Sequence, residues 1–468
     1  MTFERQSFRK IGGWLLLLAL AGDGCKKFVQ VSPPDTQLET GTIFSSDQTA
    51  TAAMMGIYSR AMASQGYFLN GGNSVYPGLS ADEFTGTAGF ALADAFTENA
   101  LLSNNSIITT LYSTAYSIIY NTNSMIENLQ ASHALTDKVR RQLKGEAMSL
   151  RALTFFHLTD LWGAVPLELS TDYTINALAP RSPDTSIYRQ VTNDLLAADS
   201  LLDSVYATGA GNASDRTRPN KWAARALLAR VWLYQGQWAA AEEAATAVLQ
   251  SGMYQLESLL DSIFRTDSRE AIWQLQPVSL SMNSAEGSFF VPADGASTKP
   301  LYTLTNYLLN AFEPDDQRRS HWVGSKTING VTYAYPFKYK VRTGIYPYLE
   351  YNMVLRLGEL YLIRAEARAQ QNNLNGAITD LNAIRNRAGL PDLSSAFSSV
   401  QVLAAVMQER RIELMAEWGH RWSDLRRTGQ ADAVLGVEKP NWNANAALYP
   451  IPLTELQRNP TIVQNPGY

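Results

Sequence analysis

The sequence is short of the residues that catalysis, metal binding and nucleic-acid binding usually draw on. Its 468 residues contain one cysteine, Cys25. A lone thiol closes no internal disulfide and makes no thiolate zinc site. The four histidines, His133, His157, His321 and His420, include no pair at a ligand spacing such as H-x-x-x-H. A net charge of -4 builds no basic field, so nucleic acid is excluded as a partner. No G-x-S-x-G elbow, P-loop or Rossmann fingerprint is present, which leaves nucleophilic and nucleotide chemistry without support. What the chain has instead is aromatic residues, 22 Tyr, 10 Trp and 16 Phe. Their flat faces stack on sugar rings as readily as they fill cores.

The position of Cys25 gives it meaning. Arg5, Arg9 and Lys10 lead into an apolar run over residues 11–22 that holds Leu15, Leu16, Leu17, Leu18 and Leu20. A positive segment, a short apolar run and then small residues are the pattern of a secretory signal. A run of about 12 residues is too short for a bilayer, which needs about 20. Residues 1–24 are therefore expected to be a lipoprotein signal peptide and Cys25 the lipidated residue. Gly22, Asp23 and Gly24 stand where a typical lipobox has Leu and two small residues. Residues 25–50, polar and holding Pro33 and Pro34, read as an extended tether.

Beyond the tether, apolar residues recur at helical spacing over 107–129, 139–161, 187–205 and 222–235. Gly163 and Pro166 stop the second run. A repeat follows. Ala224, Leu227, Leu228 and Val231 form one helix face, the turn Gln235-Gly236-Gln237 follows, and Ala241, Ala245 and Val248 face back. A shift of 136 residues finds the same plan: Val354, Leu357, Tyr361 and Ala365, the turn Gln371-Asn372-Asn373, then Ala377, Leu381 and Ile384. Small residues at facing positions let antiparallel helices approach closely, which is the physics of tetratricopeptide pairs. The expected fold is mostly all-α, one domain over 51–468 with tetratricopeptide-like units near 107–165, 187–254 and 353–390. Two stretches fall outside this plan. One is 66–105, rich in Gly, Ala, Ser and Asn. The other is 276–352, with 13 aromatics in 77 residues against 48 in the whole chain. Long irregular insertions between helical pairs are usually functional, so both are expected to carry the ligand face.

Several ordered motifs carry a resemblance. Arg151-Ala152-Leu153-Thr154-Phe155-Phe156-His157-Leu158 leads to Trp162-Gly163-Ala164-Val165-Pro166-Leu167. The unit 221–254 and the segment Arg356-Leu357-Gly358-Glu359-Leu360-Tyr361-Leu362-Ile363-Arg364-Ala365-Glu366-Ala367 follow. Then come Leu381-Asn382-Ala383-Ile384-Arg385-Asn386-Arg387, the block Glu409-Arg410-Arg411-Ile412-Glu413-Leu414 with Glu417, Arg421, Asp424 and Arg427, and the endings Tyr449-Pro450-Ile451-Pro452 and Gln464-Asn465-Pro466-Gly467-Tyr468. In this order they resemble the SusD/RagB family of outer-membrane nutrient-uptake lipoproteins, from Cys25 to Tyr468. The two insertions match that family only in position and character. The resemblance implies a cell-surface, lipid-anchored, non-catalytic protein that captures oligosaccharide or polysaccharide. It also implies hand-over to a SusC-like TonB-dependent transporter. Asp82, Glu83 and Phe84 sit where the family carries an acidic Asp-Glu turn near its binding face.

The residues are weighed on their own chemistry as well. Glu409, Glu413 and Glu417 stand at i, i+4 and i+8 on one helix face, interleaved with Arg410, Arg411 and Arg421. A glycosidase needs two carboxyls facing each other across a bond, one with a raised pKa. Arginines hold carboxylates ionised, so a structural ion network is expected here. The expected ligand platforms are Trp322, Tyr302, Tyr333, Tyr335 and Tyr346, with Asp82 and Phe84 on the other loop. Trp322 comes first, since it follows the charged, turn-like stretch 315–320. No cofactor or metal is implied. The competing readings are a tetratricopeptide-like lipoprotein that binds peptide or protein, and a glycoside hydrolase.

Overall fold

Side-chain caps open the long helices where the apolar stripes begin. Asn105 Oδ1 accepts from Ile107 N at 2.9 Å and starts the helix Ser106–Ala131. Thr136 Oγ1 accepts from Val139 N and starts its partner, Asp137–Trp162. Each satisfies a backbone donor that the first helical turn leaves open. The second helix stops at Gly163, whose φ of 69° an L side chain rarely adopts. The computed structural model describes residues 40–87, 89–207, 215–279, 281–344 and 346–468. The leader, Cys25 and most of the expected tether lie outside the described residues. The tether's last residues do not stay extended. Thr40–Ile43 is helical, and Ser46 caps the helix Asp47–Ala61, which buries Ala50 and Met54 against the first helix pair.

The repeat is realised as two stacked helix pairs. Lys221–Tyr234 packs on Trp238–Leu249, which packs in turn on Leu357–Gln370, and that helix packs on Leu374–Arg387. Ala241, Ala245, Ala365 and Ala377 are fully buried at these contacts. The two turns match in backbone as well. Gly236 and Asn372, 136 positions apart, both take a left-handed φ, 68° and 63°. Gly has no Cβ penalty there, and Asn tolerates it better than most residues. One expectation needs correcting. Val354 belongs to the strand Asn352–Arg356 and does not share the helix face, because Arg356 is still extended and the helix starts at Leu357.

That strand limits the long insertion. Asn352–Arg356 pairs antiparallel with Ala271–Leu275, with Leu275 opposite Asn352. The insertion 276–352 is therefore closed at its neck by a two-stranded ladder. It is more regular than its sequence suggests. It holds the short helices Ala285–Phe290, Asn306–Leu309 and Gln317–Trp322, and a hairpin, Val323–Ile328 with Val331–Pro336. Asn329-Gly330 turns the hairpin with φ of 49° and 80°, the conformation that matches strand twist.

Candidate functional site

The two insertions meet in a short ribbon. Phe84–Gly86 pairs antiparallel with Tyr302–Leu304, with Thr85 opposite Thr303. Thr87 N to Leu301 O at 2.9 Å and Thr305 N to Glu83 O at 3.0 Å extend it. Thr305 then caps the one-turn helix Asn306–Leu309, its hydroxyl accepting from Leu308 N at 3.1 Å. Leu308 turns into the core, which leaves the preceding side chain, Tyr307, facing out at 47 % exposed. A cleft of about 580 Å³ opens here. Its walls come from the ribbon (Thr85, Thr305, Asn306, Tyr307), from Glu98 behind the helix Ala91–Thr97, and from the C-terminal turn holding Glu438, Lys439 and Asn441.

The floor of the cleft is an electrostatic lock. Asp82 accepts from Arg421 at 2.7 and 2.8 Å and from Arg411. Burial works to raise its carboxyl, but these guanidiniums hold it below the usual carboxylate range. Burial, and then the Asp82 charge, push Glu438 up to about 7. Burial pushes Lys439 down to about 7, and its ammonium donates to the Leu79 and Thr97 carbonyls. Glu438 Oε2 has no hydrogen-bond partner. An exposed phenol face, side-chain amides, hydroxyls and a half-titrated carboxyl can stack on and hydrogen-bond a neutral polyhydroxylated ring.

The expected platforms fare unequally, and four are corrected. Trp322 is fully buried: its indole N–H donates to Leu260 O at 3.2 Å, and the Lys338 ammonium lies 4.4 Å from the ring centroid. The stretch before it is not exposed as a whole, since Asp316 and Arg318 pair at 2.8 Å inside the protein. Phe84 and Tyr302 are buried against each other and against Phe290. Tyr335 lies over Gly324 across the hairpin and is buried too. Asp82 reaches the cleft only as its floor, with both oxygens occupied by arginine. Tyr333 is half-buried, its ring 5.4 Å from the Lys299 ammonium, and Tyr346 is 71 % exposed beside Tyr348. Tyr307, Glu98, Glu438, Lys439 and Asn441 line the cleft without having been expected there from the sequence. Only Tyr307 carried a local signal, a Thr cap followed by two Leu that point the Tyr the other way.

The charged block is a buried network. Glu413 accepts from Arg356 at 2.6 Å and Arg318 at 3.1 Å, and also from Arg387. Glu417 accepts from Arg356 and from Lys338. Among the described residues no group of three or more His, Cys, Asp or Glu is placed to hold a metal ion, and no helix is long and apolar enough to cross a membrane.

Residues 322–468 match the model described as the SusD family, and residues 27–233 match one described as "Starch-binding associating with outer membrane". Among curated proteins, the SusD-like protein P25 of Formosa agariphila is 23% identical over 95% of this chain and 96% of its own length. A SusD superfamily structure from Bacteroides vulgatus superposes with a TM-score of 0.79 at 20% identity, covering 91% of this chain and 100% of that one. A laminarin-binding SusD-like protein gives 0.75 at 22% identity, covering 90% and 99%. The structural likeness shows a shared fold, and the two matched segments, which together span most of the chain, show that it belongs to the SusD/RagB family.

Proposed function

We propose that the protein binds oligosaccharide without cleaving it, in the cleft where the two insertions meet, and passes it to a SusC-type TonB-dependent outer-membrane transporter. The observation that carries this reading is Tyr307. Its half-exposed ring stands over a cleft whose remaining walls are amide, hydroxyl and carboxyl groups. Tyr333 and Tyr346, on the outer surface of the same insertion, serve as further stacking faces. The starch-binding description of one matching family model and the laminarin-binding relative support the ligand class. Asp82, tied to two guanidiniums, is neither a general acid nor a free nucleophile. A carrier needs this restraint, since moderate stacking lets release follow capture. Lipid on Cys25 tethers the protein at the outer membrane, facing the cell exterior.

Isothermal titration of the wild type and Tyr307→Ala with malto-, laminari- and cello-oligosaccharides and with peptides tests the proposal. At least one sugar binds the wild type, and loss of the stacking ring weakens it by about 2 kcal/mol, roughly thirtyfold. Binding of peptides alone, or accumulation of shortened sugars, overturns it.

A further inference from the structure

A second cleft lies away from the ribbon, on the flank of the helix Ser106–Ala131. It encloses about 440 Å³ between that helix, the 166–177 segment and the C-terminal stretch 455–462. Tyr120 and Tyr173 stand on its walls, 52 % and 80 % exposed. At its floor Tyr112 is 2 % exposed, yet its hydroxyl makes no hydrogen bond of regular geometry. The neighbouring Tyr116, its ring 4.8 Å away, already donates to Pro166 O at 2.7 Å. The Tyr116 hydroxyl, already committed to Pro166, is the one neighbour beside the Tyr112 hydroxyl among the described residues, so this buried phenol is under-satisfied and open to a further partner. Glu168 also lines this cleft, and its carboxyl makes no hydrogen bond or ion pair among the described residues. Burial, and then Glu455, push that carboxyl up to about 7.

These features fit one kind of ligand. An anion meets Glu168 and Glu455. A cation finds little net charge, because Arg458 pairs with Glu455 at 3.1 Å and Glu168 is half protonated near neutrality. A neutral pyranose matches on both counts: its C–H faces lie on Tyr120 and Tyr173, and its rim hydroxyls reach the Tyr112 hydroxyl and the Glu168 carboxyl. We infer that this cleft is a second glycan-binding site, separate from the one between the insertions. A long glycan then has two footholds on one protein, which raises its retention through effective concentration without a tighter single site.

Nitration by tetranitromethane followed by peptide mapping reads each tyrosine separately. The full-length chain is treated with and without laminarihexaose or maltohexaose, as wild type and as Tyr307→Ala. The expected result is several-fold slower nitration of Tyr120 and Tyr173 with sugar, retained in Tyr307→Ala and absent from the cleft variant Glu168→Ala. Protection of Tyr307 alone overturns the second site and leaves the first reading intact. Protection of Tyr120 and Tyr173 without Tyr307 keeps the second site and removes the first. If neither sugar protects any of the three tyrosines, both are overturned.

Discussion

Arg356 meets Glu417 through two parallel bonds, Nε to Oε2 and Nη2 to Oε1, both 2.8 Å long. Arg356 closes the strand at the neck of the long insertion and stands at the start of the helix Leu357–Gln370. The pair therefore fastens the long insertion to the helical scaffold. Both groups are buried, where the bidentate geometry offsets the desolvation of two charges.

Glu413 lies at the centre of this network. The guanidiniums of Arg387, Arg356 and Arg318 outweigh its burial and hold its carboxyl well below the usual range. Glu413→Ala leaves those cations facing one another without their shared anion. The expected loss is about 3–5 kcal/mol, read as a lower Tm by circular dichroism. A depressed carboxyl contributes stability above its unfolded pKa and loses it as pH falls, so the gap between wild type and variant narrows in acid. An unchanged Tm at pH 7 removes Glu413 from the structural network.

Trp322→Ala is a test of burial against recognition. The ring packs on Phe264 and under the Lys338 ammonium, so its removal leaves a cavity and strips a buried cation of its aromatic face. A cost of about 3–5 kcal/mol is expected, with sugar affinity of the folded protein unchanged. Lost affinity at constant Tm returns Trp322 to the binding face.

Glu83 makes a pH-dependent contribution of opposite sign. It is fully buried, one oxygen accepts from Ala416 N at 2.9 Å and the other has no partner. Burial pushes it up to about 7, above its unfolded value of 4.5. The native state then holds the proton more tightly than the unfolded chain. Stability from this group is full below pH 4.5 and falls as pH rises to about 7. Glu83→Gln keeps the acceptor and removes the titration. At pH 8 the variant should be more stable by about 3 kcal/mol, with the difference shrinking toward pH 4.5. Denaturant melts across that range settle the sign. A constant difference at all pH values rules out Glu83 as the source.

Cys25→Ala addresses the anchor. Wild type is expected in the outer-membrane fraction with an acyl mass increment on its N-terminal peptide, and the variant in the soluble fraction. Membrane retention of the variant, with no acyl mass on wild type, disproves lipidation.

Periodicity in the sequence determined the helices, because burying one face of a helix demands apolar residues every three to four positions. The 136-residue repeat and the positions of its two turns were legible for the same reason: each is a local rule. The structural role of the Glu and Arg of residues 409–427 was readable from their charges, but their partners were not: Glu413 and Glu417 accept from Arg318, Arg356, Arg387 and Lys338, which distant segments bring in. The exposure of individual aromatics was not readable. Trp322 and Tyr307 both follow charged or capped turns, yet one is sealed beneath Lys338 and the other faces solvent. The difference lies in which distant segment arrives to cover each ring. Asp82 makes the same point: Arg411, 329 positions away, converts an expected ligand contact into a floor. The cleft itself joins residues 85, 98, 307 and 441, and no local pattern encodes a meeting of four segments. Only tertiary packing, which decides which side chains lose their water, placed the cleft.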